Sequence, residues 1–136
     1  MSVRKIKSNE KLSFVIDENT REAFIALAHK VGRMEVNKEQ VMCVRSANSK
    51  ARAYARIWGL PRIFQEAFGL KALYVLEIIS QYFDKLDEKG KQKVLIHELM
   101  HIPSTFSGAL KPHKGRHHRI NDREVEKIYE KILMID

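Results

Sequence analysis

Three side chains in one short stretch could do chemistry together. His97-Glu98-Leu99-Met100-His101 places two imidazoles four residues apart with a carboxylate beside the first. On a helix, residues four apart stand one turn apart on the same face, so both rings can reach one cation. Glu98, beside His97, is set to touch a water activated by that cation rather than the cation itself. Zinc suits such a set: three protein ligands leave a fourth position for a water, whose pKa falls to roughly 7. Glu98 would take that water's proton as general base and pass it to a leaving amine.

A third ligand is required. Five of the six histidines lie between 97 and 118: His97, His101, His113, His117 and His118. His29 stands apart and reads as an ordinary residue of the first helix. His113 is the favoured third ligand. It follows Pro112, which fixes one backbone angle on the approach. His117 and His118 are flanked by Arg116 and Arg119, whose charges oppose a dication. They stay open as alternatives, as do a carboxylate such as Asp122 or Glu124 and the absence of a third protein ligand.

The motif must sit on an element that holds it. Asp87 can cap a helix running to about Ile102, and Pro103 ends it, because the residue before a proline is pushed out of the helical region. Residues 103–120 read as a long loop, of a length that is usually functional or disordered. A last helix starts at Asn121 with Glu124 three residues on, a capping-box pattern. Upstream, a helix is expected near 17–31, with Phe24, Leu27, Ala28 and Val31 on one face and Gly32 as its stop. Val41–Arg45 and Ala51–Trp58 read as the two strands of a hairpin joined through 46–50. On the second, Ala51, Ala53, Ala55 and Ile57 face one way, and Arg52, Tyr54, Arg56 and Trp58 the other. A short helix over 62–68 and a third strand over 73–79 follow Pro61. The expected fold is a single α/β (α+β) domain over 1–136, with a loose basic start over 1–11. Its small, mainly antiparallel sheet of about three strands packs on the first and active-site helices.

Composition narrows the class. The chain has 136 residues, 44% of them hydrophobic and 31% charged, which suits one globular core rather than a disordered chain. One cysteine, Cys43, excludes an internal disulfide. The start lacks the apolar segment of a signal peptide, and no apolar run approaches the roughly 18 residues of a membrane span. The expectation is therefore a cytoplasmic protein without a membrane partner. With 25 basic and 17 acidic residues the formal charge is +8, which favours acidic partners. Arg52, Tyr54, Arg56, Trp58 and Arg62 could form a basic, aromatic strip for nucleic acid.

At its motif the chain resembles the zincin metallopeptidases. The longer stretch His97-Glu-Leu-Met-His-Ile-Pro103, then Phe106-Ser-Gly108, then Lys111-Pro-His113, is similar to a family of small metallopeptidases from archaea and phages. The resemblance covers about residues 39–132. It implies a short sheet ahead of the active-site helix, His97, His101 and His113 as ligands, and Glu98 as catalytic acid/base on peptide substrates. The metzincin pattern is not met, because Ser104 and Ser107 stand where its glycine and third histidine would be. The oxyanion stabiliser is open among Arg116, His117, His118 and Tyr129. A substrate is expected to lie extended along a sheet edge, with 73–79 as the candidate edge. Two other classes compete: a nucleic-acid-associated protein, and a degenerate zincin kept as a regulatory interaction module.

Overall fold

The computed structural model describes residues 11–113 and 121–135. The elements run β1 (Ser13–Ile16), α1 (Glu18–Lys30), β2 (Val41–Ala47), β3 (Ala55–Gly59), α2 (Arg62–Phe68), β4 (Tyr74–Ile79), α3 (Ser80–Phe83), α4 (Glu88–Met100) and α5 (Asp122–Ile135). The strands form one four-stranded sheet in the order β1-β2-β4-β3. The outer pairs, β1 with β2 and β3 with β4, are antiparallel, and the central pair, β2 with β4, is parallel. The fold is α+β, with antiparallel pairings in the majority.

The expected hairpin does not form. β2 and β3 are not neighbours, because β4 inserts between them. Tyr74-Val-Leu-Glu-Ile-Ile79 is the most continuously buried strand, and such a strand gains most from a central place with partners on both sides. The connection from Ala47 to Ala55 is long enough to step over one strand's width, where a tight two-residue turn would have forced pairing. The segment at 73–79 is therefore interior and cannot serve as an edge. Among the described residues the edges of the sheet are β1 and β3. The sheet also gains a strand, β1, beyond the three expected.

Alternation along the strands sends one set of side chains to the helices. Val41 and Cys43 on β2, Tyr74, Leu76 and Ile78 on β4 and Ala55 on β3 join Phe24, Leu27 and Ala28 of α1 and Leu95, Ile96 and Leu99 of α4 in a single core. Val125, Tyr129 and Ile132 bring α5 onto the same core. Cys43 is fully buried, and burial pushes its thiol up to about 12, so it packs as an inert small hydrophobe.

Asp17 joins sheet to helix. Its carboxylate caps α1 by accepting from the Thr20 amide at 3.0 Å and the Thr20 hydroxyl at 2.7 Å. It also accepts from Arg45 Nε on β2 at 3.1 Å. Partial burial pushes the Asp17 carboxyl up, but the Thr20 hydroxyl and amide and the Arg45 charge outweigh it and hold its pKa below 3.8. A depressed carboxyl stabilises the fold above its unfolded pKa and loses that contribution as pH falls through the folded value. Asp17→Ala should cost about 1–2 kcal/mol at neutral pH. Denaturant titrations should show this gap closing in acid below the ordinary carboxylate range. A gap unchanged down to strong acid would show that the carboxylate's charge is not what stabilises the cap.

Candidate metal centre

Helix α4 starts where Asp87 accepts from the Gly90 amide at 2.8 Å and ends with His101 as its C-cap. Pro103 prevents continuation. Arg33, held by Glu35, donates from Nη2 to the carbonyls of Ile102 at 2.8 Å and Pro103 at 3.2 Å. Helix-end carbonyls of this kind have no partner inside a helix. Nothing in the residue pattern marks Arg33 for this role, since it lies about 70 residues away in the chain.

Beyond Pro103 the chain turns back. The Lys111 amide donates to the His101 carbonyl at 2.6 Å, and His101 Nδ1 donates to the Lys111 carbonyl at 2.5 Å. This reciprocal pair has two effects. It brings His113 over the helix, and it commits the His101 proton to Nδ1, leaving the Nε2 lone pair free.

His97, His101 and His113 converge. Each can offer one ring nitrogen such that the three lie within 4.8 Å of one another. His113 Nε2 stands 3.1 Å from Nε2 of both His97 and His101. Two nitrogens bound tetrahedrally to one zinc at about 2.0–2.1 Å lie roughly 3.3 Å apart, so the spacing fits. The three rings cannot satisfy one another. His101 Nε2 is an acceptor, and a single proton on His113 Nε2 can serve only one neighbour. A shared cation would satisfy all three. Burial pushes His97 down to about 4, helped by its two histidine neighbours, and burial likewise lowers His101. Both rings are therefore neutral near pH 7, the form that ligates metal.

Glu98 lies beside them, 5% exposed. Its Oε2 is buried with no hydrogen-bond partner among the described residues, and burial alone pushes the carboxyl up to about 8. The site opens into a cleft of about 980 Å³ between β3, α4, the 110–113 segment and the start of α5. Ala53, Ala55 and Ile57 wall one side, and Val94 and Val125 the other.

The remaining expected residues fall elsewhere. Asp122 lines the cleft but is not part of the three-histidine cluster. Glu124 is half-buried and pairs with Lys127. Tyr129 is buried in the core under Lys89 and Lys93. His29 bonds the Val36 carbonyl at 2.7 Å. Arg116, His117, His118 and Arg119 lie outside the described residues. In the basic strip, Arg56 and Trp58 share a face as expected, but both are held by the buried Glu77. Arg56 Nε donates to it at 3.1 Å and Trp58 Nε1 at 2.8 Å. That carboxylate offsets the cation a phosphate would need.

Residues 12–133 match the sequence model of a family described as "Putative phage metallopeptidase". The chain belongs to that family. No curated protein and no solved structure matches it. Membership in a metallopeptidase family gives the three converging histidines a metal as their natural occupant. No helix among the described residues of this family member is long and apolar enough to cross a membrane.

The isolated Glu98 has a measurable consequence in metal-free protein. A raised folded pKa means stability is full below the ordinary value of 4.5 and is lost as pH climbs through about 8. Glu98→Gln removes that loss. In the presence of chelator, the melting temperature of Glu98→Gln relative to the parent should therefore rise between pH 5 and pH 8. A difference that does not change with pH would show that Glu98 ionises freely.

Proposed function

We propose that this chain is a zinc-dependent peptidase of the zincin type, in which His97, His101 and His113 hold the metal and Glu98 is the general base. The carrying observation is the convergence of three ring nitrogens within 4.8 Å of one another beside a buried Glu98 oxygen that has no partner among the described residues. Unpaired buried polar groups are costly and persist where a ligand or a reaction uses them. A zinc ion held by the three rings would supply Lewis acidity, lowering the pKa of water towards about 7 and polarising a carbonyl.

The chain's own groups supply the rest. Glu98 accepts the proton of the attacking water as the C–O bond forms, and then delivers it to the leaving amine as the scissile C–N bond breaks. The Lys111 carbonyl keeps His101 in one tautomer and orientation. Among the described residues β3 pairs only with β4, which leaves its outer edge open beside the cleft. An extended peptide can add there as a further antiparallel strand, with apolar side chains against Ile57, Val94 and Val125. The substrate edge moves from 73–79 to 55–59. A catalytically silent regulatory module would need the metal ligands but not Glu98, and so leaves its burial unexplained.

The purified protein should hold about one zinc per chain. Glu98→Gln should retain that zinc and lose peptide hydrolysis by roughly 10²–10⁴-fold or more, while His101→Ala should lose the zinc as well. Metal analysis alongside turnover of a mixed peptide library decides the matter. Undiminished turnover in Glu98→Gln would remove it from the mechanism, and wild-type protein without bound metal after zinc loading would end the reading altogether.

A further inference from the structure

The loop that carries His113 is attached to the sheet at one buried point. Tyr74, at the start of β4, is 1% exposed. Its hydroxyl accepts from the Gly108 amide at 2.8 Å and donates to the Ala109 carbonyl at 2.8 Å. A phenylalanine would fill the same core volume, so the hydroxyl is not needed for packing. Both of its bonds go to the backbone of one loop, 34 and 35 residues away. The ring supports the same loop from beneath, with its centroid 5.0 Å from that of Phe106.

Other contacts make this attachment tight. Gln65 Nε2 donates to the Ser107 carbonyl at 3.0 Å and the Leu60 carbonyl at 2.9 Å. Gly108 takes φ of +93°, a conformation side chains rarely adopt. A Cβ on Gly59 would fall 2.0 Å from the Gly108 carbonyl oxygen, so the end of β3 and the loop meet backbone to backbone. Downstream, Lys111 is bonded to His101 through both backbone groups. Only Leu110 separates the two anchors, and Pro112 then restricts the step to His113.

We propose that Tyr74 is the positioning residue for the third ligand: its hydroxyl latches 108–109 to β4 and so holds His113 over His97 and His101. The proposal rests on the metal-site reading above. Without the latch, the Gly108 amide and Ala109 carbonyl lose a buried partner and the loop populates other conformations. The apparent metal dissociation constant then rises by the inverse of the fraction still in place. Tyr74 touches neither metal nor substrate in this scheme, and its effect passes entirely through His113.

A double-mutant cycle reads this pathway. Zinc affinity is measured by competition with a chromogenic chelator for the full chain, Tyr74→Phe, His113→Ala and the double variant. Tyr74→Phe should weaken zinc about 10–100-fold, the range for partners that orient metal ligands. In the His113→Ala background the same substitution should change affinity by less than about 2-fold, the limit of additivity for unconnected sites. A general loss of stability would instead weaken both backgrounds alike. Gln65→Ala, at the one half-buried position of the otherwise exposed α2, should give a smaller loss with the same dependence on His113 and serves if Tyr74→Phe does not fold. Cobalt-loaded protein adds a second readout: the visible d–d bands should change in Tyr74→Phe towards those of His113→Ala. Unchanged affinity in Tyr74→Phe, or an equal loss in both backgrounds, overturns the proposal while leaving the metal site standing. Absence of zinc binding by the wild-type chain overturns the metal-site reading and this one with it.

Discussion

The reciprocal bonding of His101 and Lys111 is the constraint on which the site's geometry depends. It closes the chain on itself just after α4, where a helix would otherwise leave its last carbonyls without partners. One bond uses the His101 carbonyl, and the other uses the His101 ring. The same contact therefore terminates a helix, reverses the chain and selects a tautomer. Ten residues separate the two partners, and closing a loop of that length carries only a modest entropic penalty that grows slowly with length. Pro103, Phe106 with φ of +48° and Gly108 with φ of +93° take up the sharp changes of direction inside it.

The sheet gives this closure something rigid to stand on. β4 is central and buried, so Tyr74 at its start is among the least mobile places from which to hold a loop. β3 lies outside it as an edge, and its last residue, Gly59, touches the loop at Gly108. Edge strand, loop and α4 thus bound the cleft as one connected frame. The order β1-β2-β4-β3 matters here. Had β2 and β3 formed a hairpin, the strand beside the cleft would have been β4 or none, and the wall of Ala55 and Ile57 would not face the histidines.

How much of this could be read from the residues differs between its parts. His97, Glu98 and His101 are legible because helical spacing is a local property, and Asp87 and Pro103 mark the ends of their helix. Pro112-His113 is legible as a stiffened approach, though only the fold shows where it arrives. The stop of α1 and the starts of α2 and α5 follow from Gly32, Pro61 and Asn121. Strand order was not legible. Val41–Arg45 and Ala51–Trp58 have good hairpin character locally, and what overrides it is the burial gained by placing Tyr74–Ile79 between them, a comparison between distant segments. Tyr74, Gln65 and Arg33 were equally hidden. Each acts through a hydrogen bond to backbone far away in the chain, and a backbone acceptor leaves no mark in side-chain identity. Glu77 is a charge within an apolar run, a pattern that calls for a buried partner but does not say that Arg56 and Trp58 supply it.

The same features explain why the site fits a metal better than a purely structural role. A core designed for stability alone would not place two desolvated imidazoles and a desolvated carboxyl on one helix. The histidines disfavour their charged form, and Glu98 disfavours its own, so the metal-free site is strained from both ends of the pH scale. A divalent cation reverses the balance for all of them at once: the neutral rings are already in their ligating state, and nearby positive charge favours ionised Glu98. Binding of this kind stabilises the folded chain by an amount that grows with the logarithm of metal concentration over its dissociation constant. A bound cation would offset the cost of burying these groups, and so would add to the hold that the Lys111 and Tyr74 contacts already keep on His113 rather than replace it.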